Sequence, residues 1–397
     1  MLRVPYALSV YDDNEIRAVV RVLKERRTNM GEETRKFEEG IAKLFGKKYG
    51  VMVNSGSSAN LLAIEILNLP PKAEIITPVL TFSTTIAPLL QHDIVPVFTD
   101  VLPGRYIIDI DQIEGLITPR TRAIFVPLLL GNIPDMERLQ IIARKNNLVL
   151  IEDSCDTLGA TFKGKPTGTF SDITTTSFFG SHVITAGGNG GMILVNNLRW
   201  RNKAKVLRGW GRSSSIFKES EKIEQRFQKK IDGITYDAKF IFEEVGYNFL
   251  PSELGAAFAN EQLKKLLEFK KIREDNFRHL RNFFEKFESF FILPGEEKHV
   301  STQWLAFPLT IKKTAPFSRI ELVKYLEGEN IQTRPIFTGN ILKQPGFKSF
   351  LNLDNPGKFT AANEIMERGF LIGCHQGLKR AHLKLIEDVF KKFLKKY

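Results

Sequence analysis

The sequence predicts an α/β protein: a large domain on a mostly parallel central sheet, followed by a smaller C-terminal α+β domain. Three observations carry this expectation. Apolar runs rich in Val, Ile and Leu alternate with helix-period segments through the first two-thirds of the chain. Those runs are nearly continuous, as parallel strands covered on both faces require. The alternation then gives way near residue 250 to long amphipathic patterns. With 397 residues the chain exceeds one simple core and suggests about two domains.

Taken in order, residues 1–30 read as an arm and a helix leading into the large domain, 31–255 as that domain and 256–397 as the smaller one. "YGVMVNS" is a strand and "SSANLLAIEILNL" the helix after it. "AEIITPVLTF" and "STTIAPLLQHD" repeat the pair. "IVPVFTDV", "AIFVPLLLG", "NLVLIEDSC" and "GGMILVNN" are further short buried strands, with the helix "RLQIIARKNN" between the second and third of these. Residues 251–287 read as long helix with one interruption, "QWLAFPLTI" as a strand, and "RIELVKYLEGEN" and "AHLKLIEDVFKKFL" as amphipathic helices. The polar stretch 212–235 is the candidate for a mobile loop or lid.

Composition narrows the function classes. The hydrophobic fraction of 43% and charged fraction of 26% are those of an ordinary globular chain. The first residues carry no signal-peptide pattern, and no apolar run is long enough for a transmembrane helix, so a cytoplasmic protein without a membrane partner is expected. Two cysteines, Cys155 and Cys374, exclude a disulfide framework and an iron–sulfur cluster held by four thiolates of one chain. The six histidines show no metal-ligand spacing, so no metal is expected. The net charge of +12 raises nucleic acid as a partner, but the basic residues are spread. They read as solvated helix faces, or as a field that attracts an anionic substrate such as a nucleotide diphosphate.

In such folds chemistry gathers at strand C-termini and the loops after them. "VNSGSSAN" (53–60) ends a strand, turns through Gly56 and Ser57, and opens a helix. A helix N-terminus presents free N–H groups to a phosphate; the alternative is a plain N-cap by Ser55 or Ser57. "LVLIEDSCDTLGA" (148–160) carries Asp153 where an apolar strand gives out. A carboxylate there needs a partner, and a protonated ring nitrogen would serve; a helix cap or salt bridge is the alternative. Phe82 in "TPVLTFSTT" could lie on a flat ring or in the core. Asn248 in "GYN" is a turn residue ahead of a helix, with a capping role as its alternative. "TTSFFGSHVITAGGNGG" sets Ser177 five residues before His182, ahead of a glycine run that lacks the Gly-Lys-Ser/Thr of a phosphate loop. A histidine there can be structural or can move a proton near neutral pH.

Together, and in this order, the Gly-Ser turn, "TF", "EDSCDTLGA", "SFFGSHVIT", "GYN" and "TRPIFTGN" resemble the sugar aminotransferases of the DegT/DnrJ/EryC1/StrS family, fold type I pyridoxal-phosphate enzymes with an aspartate aminotransferase-like fold. The likeness runs from about residue 10 to the C-terminus. It implies pyridoxal phosphate (PLP), or its amine form pyridoxamine phosphate (PMP), as cofactor. It implies that Gly56, Ser57 and Ser177 hold the cofactor phosphate, Phe82 stacks on the ring, Asp153 pairs with the ring nitrogen and Asp156 lies near O3′. Asn248 falls at a residue given by the partner subunit, which implies a homodimer with shared active sites.

One departure is central. The family's aminotransferases carry, five residues after the serine, the lysine that binds the cofactor covalently; here that residue is His182. Histidine at this position marks the family's 3-dehydratases, which make 3,6-dideoxysugars. The iron–sulfur kind bears cysteines after "WGR", whereas this chain has Ser213, Ser214 and Ser215. The resemblance therefore implies the cluster-free kind: a PMP-dependent 3-dehydratase that acts on a nucleotide-linked 4-keto-6-deoxyhexose, with glutamate restoring PMP. His182 is then the catalytic base, and Arg212 and Arg334 are candidate substrate contacts. The family's "GEGG" is "GGNGG" here, which removes an acid at Gly188. The alternatives are an aminotransferase using glutamate and a non-catalytic relative that binds a nucleotide sugar.

Overall fold

The computed structural model describes residues 2–217, 221–348 and 355–397. Seven strands form the central sheet: β1 (Tyr49–Val53), β2 (Glu74–Pro78), β3 (Val95–Thr99), β4 (Thr121–Pro127), β5 (Val149–Asp153), β6 (Ile173–Ser177) and β7 (Gly191–Val195). Their spatial order is β1-β7-β6-β5-β4-β2-β3. β2 to β6 pair in parallel, while β7 runs antiparallel to both of its neighbours, β1 and β6. The C-terminal ends of β1, β2, β5 and β6 therefore share one edge with the start of β7.

Both faces are covered. On β4, Ala123 and Phe125 join one core cluster, and Ile124 and Val126 join another with Met136, Leu139 and Ile142. The last three lie on the helix α5 (Met136–Lys145), whose start is capped by Asp135. The other main helices are α1 (Asp13–Lys24), α2 (Glu32–Leu44), α3 (Gly56–Glu65), α4 (Ser83–Gln91), α6 (Leu198–Arg208), α7 (Glu253–Lys264) and α8 (Leu266–Phe284). The change of pattern read near residue 250 coincides with the start of α7, and the interruption in the long helical stretch falls at Lys265.

The C-terminal part packs α8, α9 (Arg319–Gly328), α10 (Thr360–Arg368) and α11 (Arg380–Leu394) around an antiparallel sheet. Its strands are β8 (Phe291–Ile292), β9 (Ala306–Ile311), β10 (Thr333–Pro335) and β11 (Gly369–Gly373), in the order β8-β9-β11-β10. Buried aromatic residues Phe284, Phe291, Phe307 and Phe390 interlock there, and the same core cluster continues to Val51 and Ile75 of the central sheet.

The N-terminal arm joins the two sheets. Val4 pairs with Ile331 beside the small sheet, and Ser9 Oγ donates to the carbonyl of Gly180 at 2.6 Å. The start of α2 has no side-chain cap of its own. Glu253 on α7 takes that role: its carboxylate accepts from the amides of Gly31, Glu33 and Thr34 and from Thr34 Oγ1. The stretch 212–235 holds a 3-10 turn (Ser213–Ile216), a short helix (Ile223–Arg226) and a hairpin of Lys230–Ile231 with Ile234–Thr235; its residues 218–220 lie outside the described ones. Among the described residues, no helix is long and apolar enough to cross a membrane, and no group of three metal-ligating side chains is present.

Candidate active site

The shared edge of the central sheet gathers the residues singled out in the sequence. Ser55 caps α3, accepting from Ser58 N at 3.1 Å. Ser57 is thus not the cap, and its exposed hydroxyl and the amides of Gly56 and Ser57 are left at the helix start. A Cβ on Gly56 would stand 2.7 Å from Ser177 Cβ and 3.1 Å from Cys155 Sγ. Glycine is therefore what lets Ser177, at the end of β6, reach the N-terminus of α3. The result is a small anion cradle of two amides and two hydroxyls on the positive end of a helix.

Gly191 holds this cradle together. It pairs with Val53 on one side and Ser177 on the other. A Cβ there would lie 2.2 Å from the Ser55 carbonyl oxygen, a backbone atom that cannot rotate away. Gly191→Ala is expected to push the Ser55–Gly56 turn outward and weaken cofactor affinity at least tenfold, about 1.4 kcal/mol. Fluorescence titration of the apo-protein with PLP checks this.

Asp153 ends β5 as a buried carboxylate, 7% exposed. Asn60 Nδ2 donates to its Oδ2 at 2.8 Å, Thr85 Oγ1 to the same oxygen at 3.3 Å, and Cys155 N to Oδ1 at 3.2 Å. Thr175 Oγ1 donates to Asn60 Oδ1 at 2.6 Å, which turns the Asn60 NH₂ toward the acid. Every donor is neutral, and among the described residues no basic group lies within 4 Å of Asp153. A buried anion without a counter-cation fits a cationic ring nitrogen. No helix follows β5, so the capping alternative for Asp153 is excluded.

Phe82 follows β2, is 50% exposed and sits edge-on to Phe337; it is not a core aromatic. Its exposed face leaves room for a flat ring.

His182 lies on the loop between β6 and β7. That loop is knit by Gly180 N to Gly188 O, Ala186 N to Phe178 O and Thr185 Oγ1 to Phe178 O. The imidazole Nδ1 is buried, has no hydrogen-bond partner, and stands 3.6 Å from Asp156 Oδ1. Burial, with the Arg273 charge nearby, pulls His182 down to about 4, so the ring is neutral at pH 7. Burial pushes Asp156 up to about 7, against the opposing hydrogen bond from Leu130 N and with the Asp153 charge adding to the rise.

The remaining sequence candidates lie further out. Asn248 is exposed; its backbone pairs with Gly209, and the next residue, Phe249, accepts from Asn54 N at 3.0 Å. The N-cap of α7 is Ser252, so Asn248 caps no helix. The Arg212 guanidinium lies 4.3 Å from the Trp210 ring centre, with Phe240 and Phe242 at 5.6 and 5.7 Å. The exposed Arg334 lies over Tyr6 at 5.5 Å.

Sequence reasoning missed Asn60, Thr85, Tyr6, Leu130 and Arg273. The Tyr6 phenol is kept protonated by burial and by the Asp156 charge, so the arm reaches the site. Arg273 is fully buried and donates to Gln376 Oε1 and to the carbonyls of Trp304 and Leu305. Gln376 in turn donates to the carbonyl of Val183, next to His182. The spacing held a signal for Arg273: it shares the apolar face of α8 with Leu266, Phe269, Phe277 and Leu280.

This fold and site define a fold type I pyridoxal-phosphate protein of the aspartate aminotransferase-like class. The sequence profile of the DegT/DnrJ/EryC1/StrS aminotransferase family matches residues 10–391, and the chain belongs to that family, whose cofactor is PLP or its amine form. The chain is 36% identical to the dTDP-4-dehydro-2,6-dideoxy-D-glucose 3-dehydratase of Saccharopolyspora spinosa, over 98% of this chain and 86% of that protein. It is 33% identical to the GDP-4-keto-6-deoxy-D-mannose 3-dehydratase of Yersinia pseudotuberculosis, over 99% of both. Among solved structures it resembles a GDP-4-keto-6-deoxymannose-3-dehydratase with a trapped PLP–glutamate geminal diamine, at a TM-score of 0.86, 31% identity, and coverage of 97% of this chain and 99% of that one.

Proposed function

We propose that the chain is a PMP-dependent 3-dehydratase that removes the C3 hydroxyl of a nucleotide-linked 4-keto-6-deoxyhexose, without an iron–sulfur cluster. The observation that supports this most is the neutral His182 imidazole in the position where the family's aminotransferases carry a covalent lysine. The 3-dehydratase names of the relatives support the same reading.

PMP, when bound, supplies an amine that condenses with the C4 ketone and a ring that accepts electrons. The chain's residues do the rest. Gly56, Ser57 and Ser177 hold the phosphate, and Phe82 covers the ring. Asp153 keeps a proton on the ring nitrogen. His182 takes a proton from carbon, then returns it to the departing C3 hydroxyl, which leaves as water. A lysine would instead capture the aldehyde form and favour amino transfer. The deoxygenation is a two-electron reduction of the sugar. Oxidation of glutamate to 2-oxoglutarate and ammonia balances it.

Asn248 supports a homodimer with shared sites. Its exposed side chain makes no hydrogen bond among the described residues, and Phe240, Phe242 and Val245 on the segment before it are 57%, 56% and 95% exposed. Exposed apolar side chains on one segment, two of them around Arg212, support an association surface there.

The test is incubation of the purified protein with PLP, glutamate and GDP-4-keto-6-deoxymannose, and in parallel the corresponding dTDP-linked 4-keto sugar, with products identified by mass spectrometry. A 3-deoxy-4-keto sugar with equimolar 2-oxoglutarate and ammonia is expected. An amino sugar, or no change in either nucleotide sugar, would overturn the reading.

A further inference from the structure

We infer that Asp156 is a positioning residue for His182: its carboxylate holds the imidazole with Nδ1 as the proton donor and leaves Nε2 as the atom that moves the proton. The last clause rests on the proposed dehydratase reading; the hold on the ring does not.

The carboxyl is anchored from the far side. Leu130 N donates to Asp156 Oδ2 at 2.9 Å, which leaves Oδ1 facing the histidine. Delivering that amide requires Leu130 to adopt φ 62°, a left-handed conformation unfavourable for a leucine. The surrounding structure imposes it. Leu305 N donates to Leu130 O at 2.8 Å, and Thr302 Oγ1 to Gly131 O at 2.6 Å. Gly131, at φ 99°, lies so close to the Gln303 carbonyl that a Cβ would stand 2.4 Å from it. A strained turn clamped by the C-terminal part of the chain thus fixes the acid.

The histidine is fixed independently. Ser9 holds the carbonyl of Gly180 and Gln376 that of Val183, one before and one after His182 in the chain. Within this clamp Asp156 is the only acid within 4 Å of His182 among the described residues. The 3.6 Å separation exceeds a hydrogen bond by a few tenths of an ångström, which a small rotation of either side chain closes.

The charged and titratable groups around the acid are Asp153, Arg273, Tyr6 and Cys155. Burial keeps the proton on Asp156 up to about pH 7, while His182 stays neutral down to about pH 4. Below neutrality, therefore, the acid is the donor and Nδ1 the acceptor. As the pH rises through 7 the carboxylate forms, and Nδ1 must carry the proton to meet it. The imidazole tautomer thus switches with the ionisation of Asp156, and activity rises over the same interval.

Cofactor-free protein labelled with ¹⁵N-histidine tests this directly, with the His182 signal assigned by its loss in His182→Asn. The Nε2–H form is expected at about pH 5.5 and the Nδ1–H form at about pH 8.5. In Asp156→Asn the tautomer becomes independent of pH. In the loaded enzyme the same variant loses at least about tenfold in kcat, with the rise through pH 7 abolished. A wild-type His182 that stays Nε2–H at both pH values overturns the inference, as does an Asp156→Asn protein that retains the switch. The wild-type titration decides alone if the variant does not fold. A protein that shows the switch but makes an amino sugar refutes the dehydratase reading and leaves the hold of Asp156 on His182 standing.

Discussion

His182→Lys is expected to abolish dehydration and to produce a protein that holds PLP covalently. The amine then sits five residues after Ser177, on the loop knit by Gly180, Gly188 and Ala186. Borohydride treatment followed by peptide mass spectrometry would find the cofactor on residue 182. Loss of the proton carrier alone costs about 10² to 10⁴ in rate. A lysine adduct also competes with the free amine form that deoxygenation needs, so the combined loss is larger. Residual turnover should yield amino sugar. Unchanged dehydration, or PLP that dialyses away from the variant, would show that residue 182 is not the centre of the chemistry.

Asp153→Asn is expected to separate function from stability. Its carboxylate is buried among the neutral donors Asn60, Thr85 and Cys155 N, with no cation within 4 Å among the described residues. An unpaired buried charge costs the empty fold several kcal/mol less once it is replaced by a neutral amide, so the apo-protein should melt at an equal or higher temperature. Binding changes in the other direction. A charge-assisted hydrogen bond to the ring nitrogen contributes about 1.5–3 kcal/mol, so PLP affinity should fall by about ten- to a hundredfold. Activity should fall further, because a neutral ring nitrogen is a poorer electron sink. Calorimetry of the apo-protein with a PLP titration checks both signs. A variant that melts lower and binds PLP normally would make Asp153 a purely structural residue.

The residues that were legible in the sequence are those whose role is set locally. Apolar runs marked β1 to β5 and β7 because both faces of each strand are buried, whereas β6, with three threonines in five residues, has no apolar run and stayed hidden; Gly56, Ser57 and Asp153 could be placed because strand ends carry chemistry in this class of fold. Direction was not legible. "GGMILVNN" has the composition of the sheet's parallel strands, yet β7 runs antiparallel to both of its neighbours, because hydrogen-bond polarity leaves no trace in side-chain type. Long-range partners were equally hidden. Asn60 reads as one more polar residue on a helix until Thr175 turns its amide toward Asp153. Leu130 sits in an apolar run, and nothing there announces a left-handed backbone whose amide holds Asp156. Arg212, read as a substrate contact, lies among Trp210, Phe240 and Phe242, a setting that only the fold brings together.

The cap that Glu253 supplies to α2 also orders the birth of the chain. The carboxylate that closes the helix beginning at Glu32 is 222 residues downstream of Gly31, the first amide it receives. On the ribosome, α2 has been made long before its cap exists. Its first amides must bond to water while all seven strands of the central sheet are synthesised. The first turn of α2 therefore completes its hydrogen bonds only when α7 emerges and docks.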